Sequence, residues 1–311
     1  GMATGIVSTA RITHATPAAT YAETTERDWE SDADVSAAGK AAGCVDIASQ
    51  FTAWQGAHGN GLDVVLSGGR SGFLPNTMTD PEYANQKGRR LDGRNLMDEW
   101  KSAAPNRTTA IDRAGFQAFD WNSDGQILAL FEPSHMQYEL DRAKDGKGEP
   151  SITEMTKAAI TRLSRNKNGY VLMVEGGRGD HGLHAGDAQR ALGDAAALDE
   201  AIAAAVAATD PKDTLIIVTA DHSHTLMIQG YPQRGNPILG LVKENNELVK
   251  ARDGKPYTTL SFGNGPGSIC KPQADGKYLC DRADLTNVDT TALGFLQQSL
   301  IPLGSETHGG E

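Results

Sequence analysis

Apolar residues in this chain gather into short runs, each closed by glycine or a polar turn. Ile6-Val7-Ser8-Thr9, Leu62 to Ser67, Gln126 to Phe131, Tyr170 to Val174 and Thr214 to Ala220 read as strands from their length and flanking residues. Helical stretches lie between them. Thr16 before Pro17 is placed to cap a helix running through Tyr21 towards Arg27. Asp34 can cap a second helix reaching about Phe51, and Asn95 to Lys101 reads as a short third. Ser151-Ile152-Thr153-Glu154 has the form of a capping box, opening a helix to about Arg165. An Ala-rich helix spans about Ala185 to Ala208. This alternation predicts an α/β fold with a mostly parallel central sheet and helices on both faces.

After His224 the pattern changes. Residues 230–284 are rich in Gly, Pro, Lys and Asn, with one strand-like run, Tyr257 to Phe262, so the segment reads as an insertion projecting from the sheet. A last helix is expected from about Asp289 to Leu300.

Composition narrows the classes. At 311 residues, with 39% hydrophobic and 22% charged residues, the chain is long enough to bury a large core. A net charge of −11 argues against a nucleic-acid-binding surface, which would be basic. No apolar run is long enough for a membrane span. Cys270 and Cys280 flank the turn signal Asp275-Gly276, which suits a local disulfide or two free thiols, and Cys44 is left over. Asn106-Arg107-Thr108 is a glycosylation triplet of a kind common by chance.

The chemistry concentrates where two strands end. The run at Tyr170 to Val174 feeds into Glu175-Gly176-Gly177-Arg178-Gly179-Asp180-His181-Gly182-Leu183-His184, and Thr214 to Ala220 feeds into Asp221-His222-Ser223-His224. In open α/β sheets ligands bind at the carboxyl ends of strands. Asp180 and His184 are four apart, a spacing that puts both on one helical face. His nitrogen and Asp oxygen suit zinc, whereas Glu175 and Thr16 offer oxygen to a harder ion. Six of the eight histidines, His14, His181, His184, His222, His224 and His308, fall in short loops beside small residues. A single buried His or Asp is more often structural, but together they suggest a metal site. Paired divalent ions suit phosphoryl transfer, and Arg27 could hold the phosphate oxygens in a fork.

Over nearly its whole length the sequence resembles alkaline phosphatase, and the animal-type branch more than the enteric bacterial one. The resemblance is carried by Val7-Ser8-Thr9, His14-Ala15-Thr16-Pro17-Ala18, Ser31-Asp32-Ala33-Asp34-Val35 and Leu130-Phe131-Glu132-Pro133. It continues in Val174-Glu175-Gly176-Gly177-Arg178, Asp180-His181-Gly182, Val218-Thr219-Ala220-Asp221-His222-Ser223-His224, Gly263-Asn264-Gly265-Pro266-Gly267 and Glu306-Thr307-His308.

The resemblance implies an alkaline-phosphatase-like domain over residues 1–311 and an enzyme that hydrolyses small phosphate monoesters through a phosphoserine. It implies two zinc ions and one magnesium. Asp180, His184 and His308 match ligands of the first zinc, Asp221 and His222 two ligands of the second, and Thr16 and Glu175 the magnesium. Arg27 matches the phosphate-binding arginine. His14, His181 and His224 fall around these ligands. A fourth, calcium-like site matches Glu82, the Phe131 carbonyl, Glu132 and, by position, Glu149, within an insertion at residues 71–150. Residues 230–306 fall where the family carries its crown insertion, which contributes to a homodimer interface. The implied location is periplasmic or extracellular. The family's Asp-Ser-Ala nucleophile motif does not occur in these 311 residues, so the chain reads as an internal fragment with impaired turnover. The alternatives are another hydrolase of the same superfamily, a phosphodiesterase or sulfatase, or a non-catalytic metal-binding protein.

Overall fold

The computed structural model describes residues 1–54 and 61–309. The chain forms two compact units. The first holds residues 1–178 and 196–215, the second residues 179–195 and those from 216 onward.

In the first unit four of the apolar runs become strands β1 (Ala3–Arg11), β2 (Val64–Gly68), β4 (Gln126–Leu130) and β5 (Tyr170–Glu175), and a further strand, β3 (Arg107–Ala110), lies between β2 and β4 in the chain. They pair in the order β3-β4-β2-β1-β5, and every pairing is parallel. Side chains alternate between faces with the strand period of two. Ile6, Val65, Leu128 and Leu130 enter one core with Ile47, Phe51, Leu96 and Trp100. Val7, Val64, Leu66, Ile127 and Ala129 enter the other with Phe116, Ile152, Met155 and Leu163. The first face is covered by α3 (Ile47–Ala53) and α4 (Leu96–Ser102), the second by α5 (Arg113–Ala118) and α6 (Ile152–Leu163). The expected parallel sheet with helices on both faces is present. Ser151 and Glu154 form the capping box of α6 reciprocally.

Several expectations fail for local reasons. The helix after β1, α1 (Ala15–Ala18), is a single turn with His14 at its N-cap position and no side-chain cap, and Thr16 lies exposed inside it. The chain leaves the helix because Thr20 Oγ1 donates to Pro17 O at 2.7 Å and Tyr21 Oη donates to Ile12 O at 2.9 Å. The helix expected from Asp34 is two helices, α2 (Ala37–Ala41) and α3, with caps at Ser36 and Asp46. Gly43, at φ 81°, breaks the run between them. Strand β3 carried no apolar run, yet it joins the sheet. Residues 71–150 include β3, α5 and β4.

Thr214 to Ala220 forms neither strand nor helix, and Leu215 and Ile217 are about four-fifths exposed, at 83% and 77%. A strand needs a neighbour for its backbone groups. Among the described residues the sheet ends at β5.

The second unit contains α7 (Arg178–His184), whose first residue belongs to the first unit, and the opening turns of α8 (Ala188–Ala208). Its strands are β6 (Ser223–His224), β7 (Leu226–Ile228), β8 (Lys243–Glu244), β9 (Glu247–Leu248), β10 (Leu260–Gly265), β11 (Cys270–Pro272), β12 (Tyr278–Cys280), β13 (Ser299–Pro302) and β14 (His308–Gly309). β10 runs antiparallel to β7 and parallel to β13. Leu260 and Phe262 of β10 pack with Ala188, Leu183 and Leu226. Cys270 and Cys280 form the local disulfide across β11 and β12, and Cys44 is free and exposed. The helix expected at Asp289 to Leu300 is absent. Asp289 Oδ1 accepts from Thr291 N and Oγ1, Gly294 takes φ 85°, and the chain continues into β13.

Candidate metal centre

In the second unit, α7 places Asp180 and His184 one turn apart. Gly182, between them, lets α7 lie against α8: a Cβ there would sit 2.7 Å from Ala191 N. The other contributors come from a two-stranded ladder, since β6 pairs antiparallel with β14 and sets His224 opposite His308. Asp180, His184, His224 and His308 all offer ligand atoms within 4.8 Å of one another.

Three of these converge with open donors. His184 Nε2 lies 3.1 Å from His308 Nε2 and 3.4 Å from Asp180 Oδ1, and His308 Nε2 lies 3.5 Å from that oxygen. Tetrahedral zinc with bonds of about 2.05 Å needs ligand atoms about 3.3 Å apart. The Asp180, His184 and His308 spacing fits that edge. His224 is differently engaged. Its Nε2 meets Asp180 Oδ1 at 2.8 Å and its Nδ1 meets Glu306 Oε2 at 2.5 Å. Both ring nitrogens are taken, so His224 holds Asp180 rather than pointing a lone pair at the centre. His184 Nδ1–H donates to Glu306 O, which leaves Nε2 as the free acceptor.

Burial would raise the Asp180 carboxyl, but His184, His224 and His181 outweigh it and hold Asp180 below the usual carboxylate range. Partial burial, with His222 and His184 nearby, holds His308 below the ordinary imidazole range. Both shifts favour the metal-binding forms, ionised carboxylate and neutral imidazole. His222 stacks on His308 with ring centroids 3.6 Å apart, and its Nε2 is 3.3 Å from Asp221 Oδ2. Asp221 is exposed and lies outside the four-residue group.

In the first unit, Glu175 closes β5 in register with Ser8 of β1. Ser8, fully buried, donates its Oγ–H to Glu175 Oε2 and accepts from Ala10 N at 2.9 Å. α1, which carries Thr16, packs beside β1 and β5. His14 and His135 meet edge to face at 5.2 Å, and Arg27 Nη2 lies 3.4 Å from His14 Nε2. His135, within Pro133-Ser134-His135-Met136, carries no spacing that marks it in the sequence. It follows β4 by a few residues, and its Nδ1 accepts from Arg11 N.

The calcium-like group also sits in the first unit and differs from the expected set. Glu82, Glu132 and Asp145 bring carboxylate oxygens within 4.8 Å of one another, so Asp145 joins two of the residues named from the sequence. Asp145 lies in a charged stretch, residues 141–149. The Phe131 carbonyl accepts from Arg70 Nη1, and Arg70 Nη2 also reaches Asp80 and Glu82. That carbonyl is thus engaged by a guanidinium. Glu149 is buried nearby, and burial with the charge of Glu132 pushes its carboxyl up to about 9. Both Asp145 oxygens and Glu149 Oε2 are buried and lack hydrogen-bond donors among the described residues. Unpartnered carboxylate oxygens in this number suit a hard cation.

A family model described as alkaline phosphatase matches residues 1–311. The chain belongs to the alkaline phosphatase family. The tissue-nonspecific alkaline phosphatases of rat (Rattus norvegicus) and human (Homo sapiens) are 42% and 41% identical to it over 318 aligned residues. The alignment covers all of this chain and 57% of each relative, so the chain spans a little over half their length. Among solved structures, the Thermus thermophilus alkaline phosphatase is 32% identical with TM-score 0.50, covering 67% of this chain and 36% of that one. The enzyme of a psychrophilic Shewanella is 25% identical with TM-score 0.54, covering 74% and 46%. A mutant of the enzyme from the Antarctic bacterium TAB5, solved with magnesium in its M3 site, shares the fold at TM-score 0.55, 23% identity and coverage of 83% and 58%. Metal dependence comes with this family. No helix of the described residues is long and apolar enough to cross a membrane.

Proposed function

We propose that the protein hydrolyses small phosphate monoesters with divalent metals, as its family membership supports. The observation that carries this reading is the convergence of Asp180, His184 and His308 at zinc-like spacing, with His224 and Glu306 fixing the donors. In this reading Asp180, His184 and His308 hold a first zinc, and Asp221 and His222 serve a second. Thr16 and Glu175 serve a magnesium ion, with Ser8 orienting Glu175 by the hydrogen bond to its Oε2. Arg27 grips two non-bridging phosphate oxygens as a planar fork. Glu82, Glu132, Asp145 and Glu149 serve calcium. When bound, the metals would polarise the phosphate and neutralise charge on the leaving oxygen. The chain's own contribution is to hold the donors ionised, fixed in tautomer and mutually spaced before substrate arrives.

We further propose that the enzyme acts outside the cytoplasm, periplasmically or extracellularly, as a homodimer. The Cys270–Cys280 disulfide fits an oxidising compartment.

The test is hydrolysis of p-nitrophenyl phosphate against bis-p-nitrophenyl phosphate by the intact protein supplied with zinc and magnesium. The monoester should be hydrolysed faster by orders of magnitude, and Asp180→Asn should lower that rate at least 100-fold. Faster diester hydrolysis, or activity indifferent to chelators, would overturn the proposal.

A further inference from the structure

Glu306 is buried at 1% exposure in the second unit, two residues before His308. It reaches the metal centre through three separate connections. Its side chain binds His224 Nδ1 through Oε2, and His224 Nε2 in turn binds Asp180 Oδ1. Its carbonyl accepts from His184 Nδ1–H. Its backbone N–H donates to His184 O at 2.8 Å, tying the end of α7 to the segment that leads into β14.

The carboxylate is itself fixed. Oε1 accepts from both Thr225 N and Thr225 Oγ1 at 2.5 Å. Thr225 Oγ1 accepts from Gly263 N on β10. A Cβ on Gly265, which has φ 125°, would stand 3.1 Å from Glu306 Cβ, so β10 presents a glycine where Glu306 must approach. A rigid strand therefore holds Thr225, Thr225 holds Glu306, and Glu306 fixes Asp180 and His184 by two routes.

We infer that Glu306 is the positioning residue of the first metal centre: its carboxylate sets Asp180 through His224, and its carbonyl sets the His184 tautomer. The inference rests on the reading of Asp180, His184 and His308 as metal ligands. Partners that orient ligands in this way typically change metal affinity by 10–100-fold when lost. Glu306→Ala removes the His224 arm and leaves the backbone contacts to His184 in place. Glu306→Gln keeps an oxygen for Thr225, and its amide can donate to His224 Nδ1 while His224 Nε2–H still donates to Asp180.

Zinc affinity is measured by competition with a chromogenic chelator, and coordination by the visible spectrum of the cobalt(II)-loaded 311-residue chain. The variants are Asp180→Asn, His224→Ala, Glu306→Ala, Glu306→Gln and the His224→Ala/Glu306→Ala double variant. Glu306→Ala should weaken zinc 10–100-fold and alter the cobalt bands, Glu306→Gln should stay within about threefold of the parent, and the double variant should match His224→Ala. A purely structural role for Glu306 would lower the melting temperature while leaving affinity and bands unchanged, and that result overturns the inference. So does a double variant whose losses simply add. If Glu306→Ala does not fold, Glu306→Gln and His224→Ala decide: loss of affinity in the former, or none in the latter, overturns it. If the parent chain binds no zinc that depends on Asp180, the ligand reading itself has failed, an outcome distinguishable from the others.

Discussion

Gly182 offers the sharpest test of how the fold positions the site. It lies in α7 between Asp180 and His184, facing Ala191 of α8. A Cβ there would meet Ala191 N at 2.7 Å, Cα at 2.9 Å and Cβ at 3.1 Å. Ordinary contacts begin near 3.4 Å, and two of these atoms are backbone, so one helix must move by several tenths of an ångström. Two effects of Gly182→Ala oppose each other. Replacing a helical glycine gains about 1 kcal/mol of intrinsic propensity. Overpacking costs about 1–3 kcal/mol, and the rigid backbone partners point to the upper part of that range. The net expectation is a loss of about 1–2 kcal/mol, which at roughly 2–4 °C per kcal/mol lowers the melting temperature by several degrees. Gly179→Ala is the matched control, because its Cβ would meet only Ala191 O at 3.9 Å. It should be neutral or stabilising by up to about 1 kcal/mol. Zinc affinity should fall in Gly182→Ala and hold in Gly179→Ala. Thermal melts and zinc competition on the two variants give the answer. A Gly182→Ala protein as stable as Gly179→Ala, with parental zinc affinity, would refute the packing argument.

Three further outcomes follow from the charged interior. Glu149 titrates near 9 in the folded state against an ordinary 4.5, so the folded protein retains a proton that the unfolded chain releases over that interval. Stability of the metal-free protein should therefore be fullest below about pH 4.5 as far as this group is concerned, and should decline towards pH 9. At about 1.36 kcal/mol per pH unit, the contribution lost by pH 8 has a ceiling of about 5 kcal/mol. Glu149→Gln should flatten that decline, and calcium should restore the parent at pH 8; identical pH slopes in urea melts of parent and variant would contradict it. Arg90 is fully buried between Asp46, Asp92 and Ser49, and Asp46 caps α3. Arg90→Met leaves a buried carboxylate uncompensated and should cost about 3–5 kcal/mol by denaturant unfolding, whereas a loss under 1 kcal/mol would show that the network is not stabilising. Chelation of zinc should lower the melting temperature of the parent and leave Asp180→Asn unchanged; equal shifts would place the tightest zinc elsewhere.

The sheet was legible because β1, β2, β4 and β5 are apolar runs with few competing interpretations, and alternation alone assigns their residues to the two cores. β3 was not, because Arg107-Thr108-Thr109-Ala110 has little hydrophobic signal and is placed by its pairing with β4. Thr214 to Ala220 shows the reverse. Its composition is that of a buried strand, but strand formation depends on a neighbour that composition cannot specify. The helices misread at Asp34 and Asp289 failed at Gly43 and Gly294, where positive φ ends the run. At the site, Asp180 and His184 were legible from helical spacing, and His224 and His308 from their motifs. Asp145 was missed because a charged loop gives no sign of which carboxylate turns inward. Glu306 sat within a quoted motif, yet its contacts to His184, His224 and Thr225 join segments more than eighty residues apart, which one-dimensional spacing cannot reveal.

The most direct test of the metal assignment is anomalous diffraction at the zinc edge from crystals of the protein equilibrated with zinc. The assignment predicts a peak about 2.0–2.2 Å from His184 Nε2, His308 Nε2 and an Asp180 carboxylate oxygen, with His224 still bridging Asp180 and Glu306. A peak bonded to His224, or no peak among these residues, would contradict it.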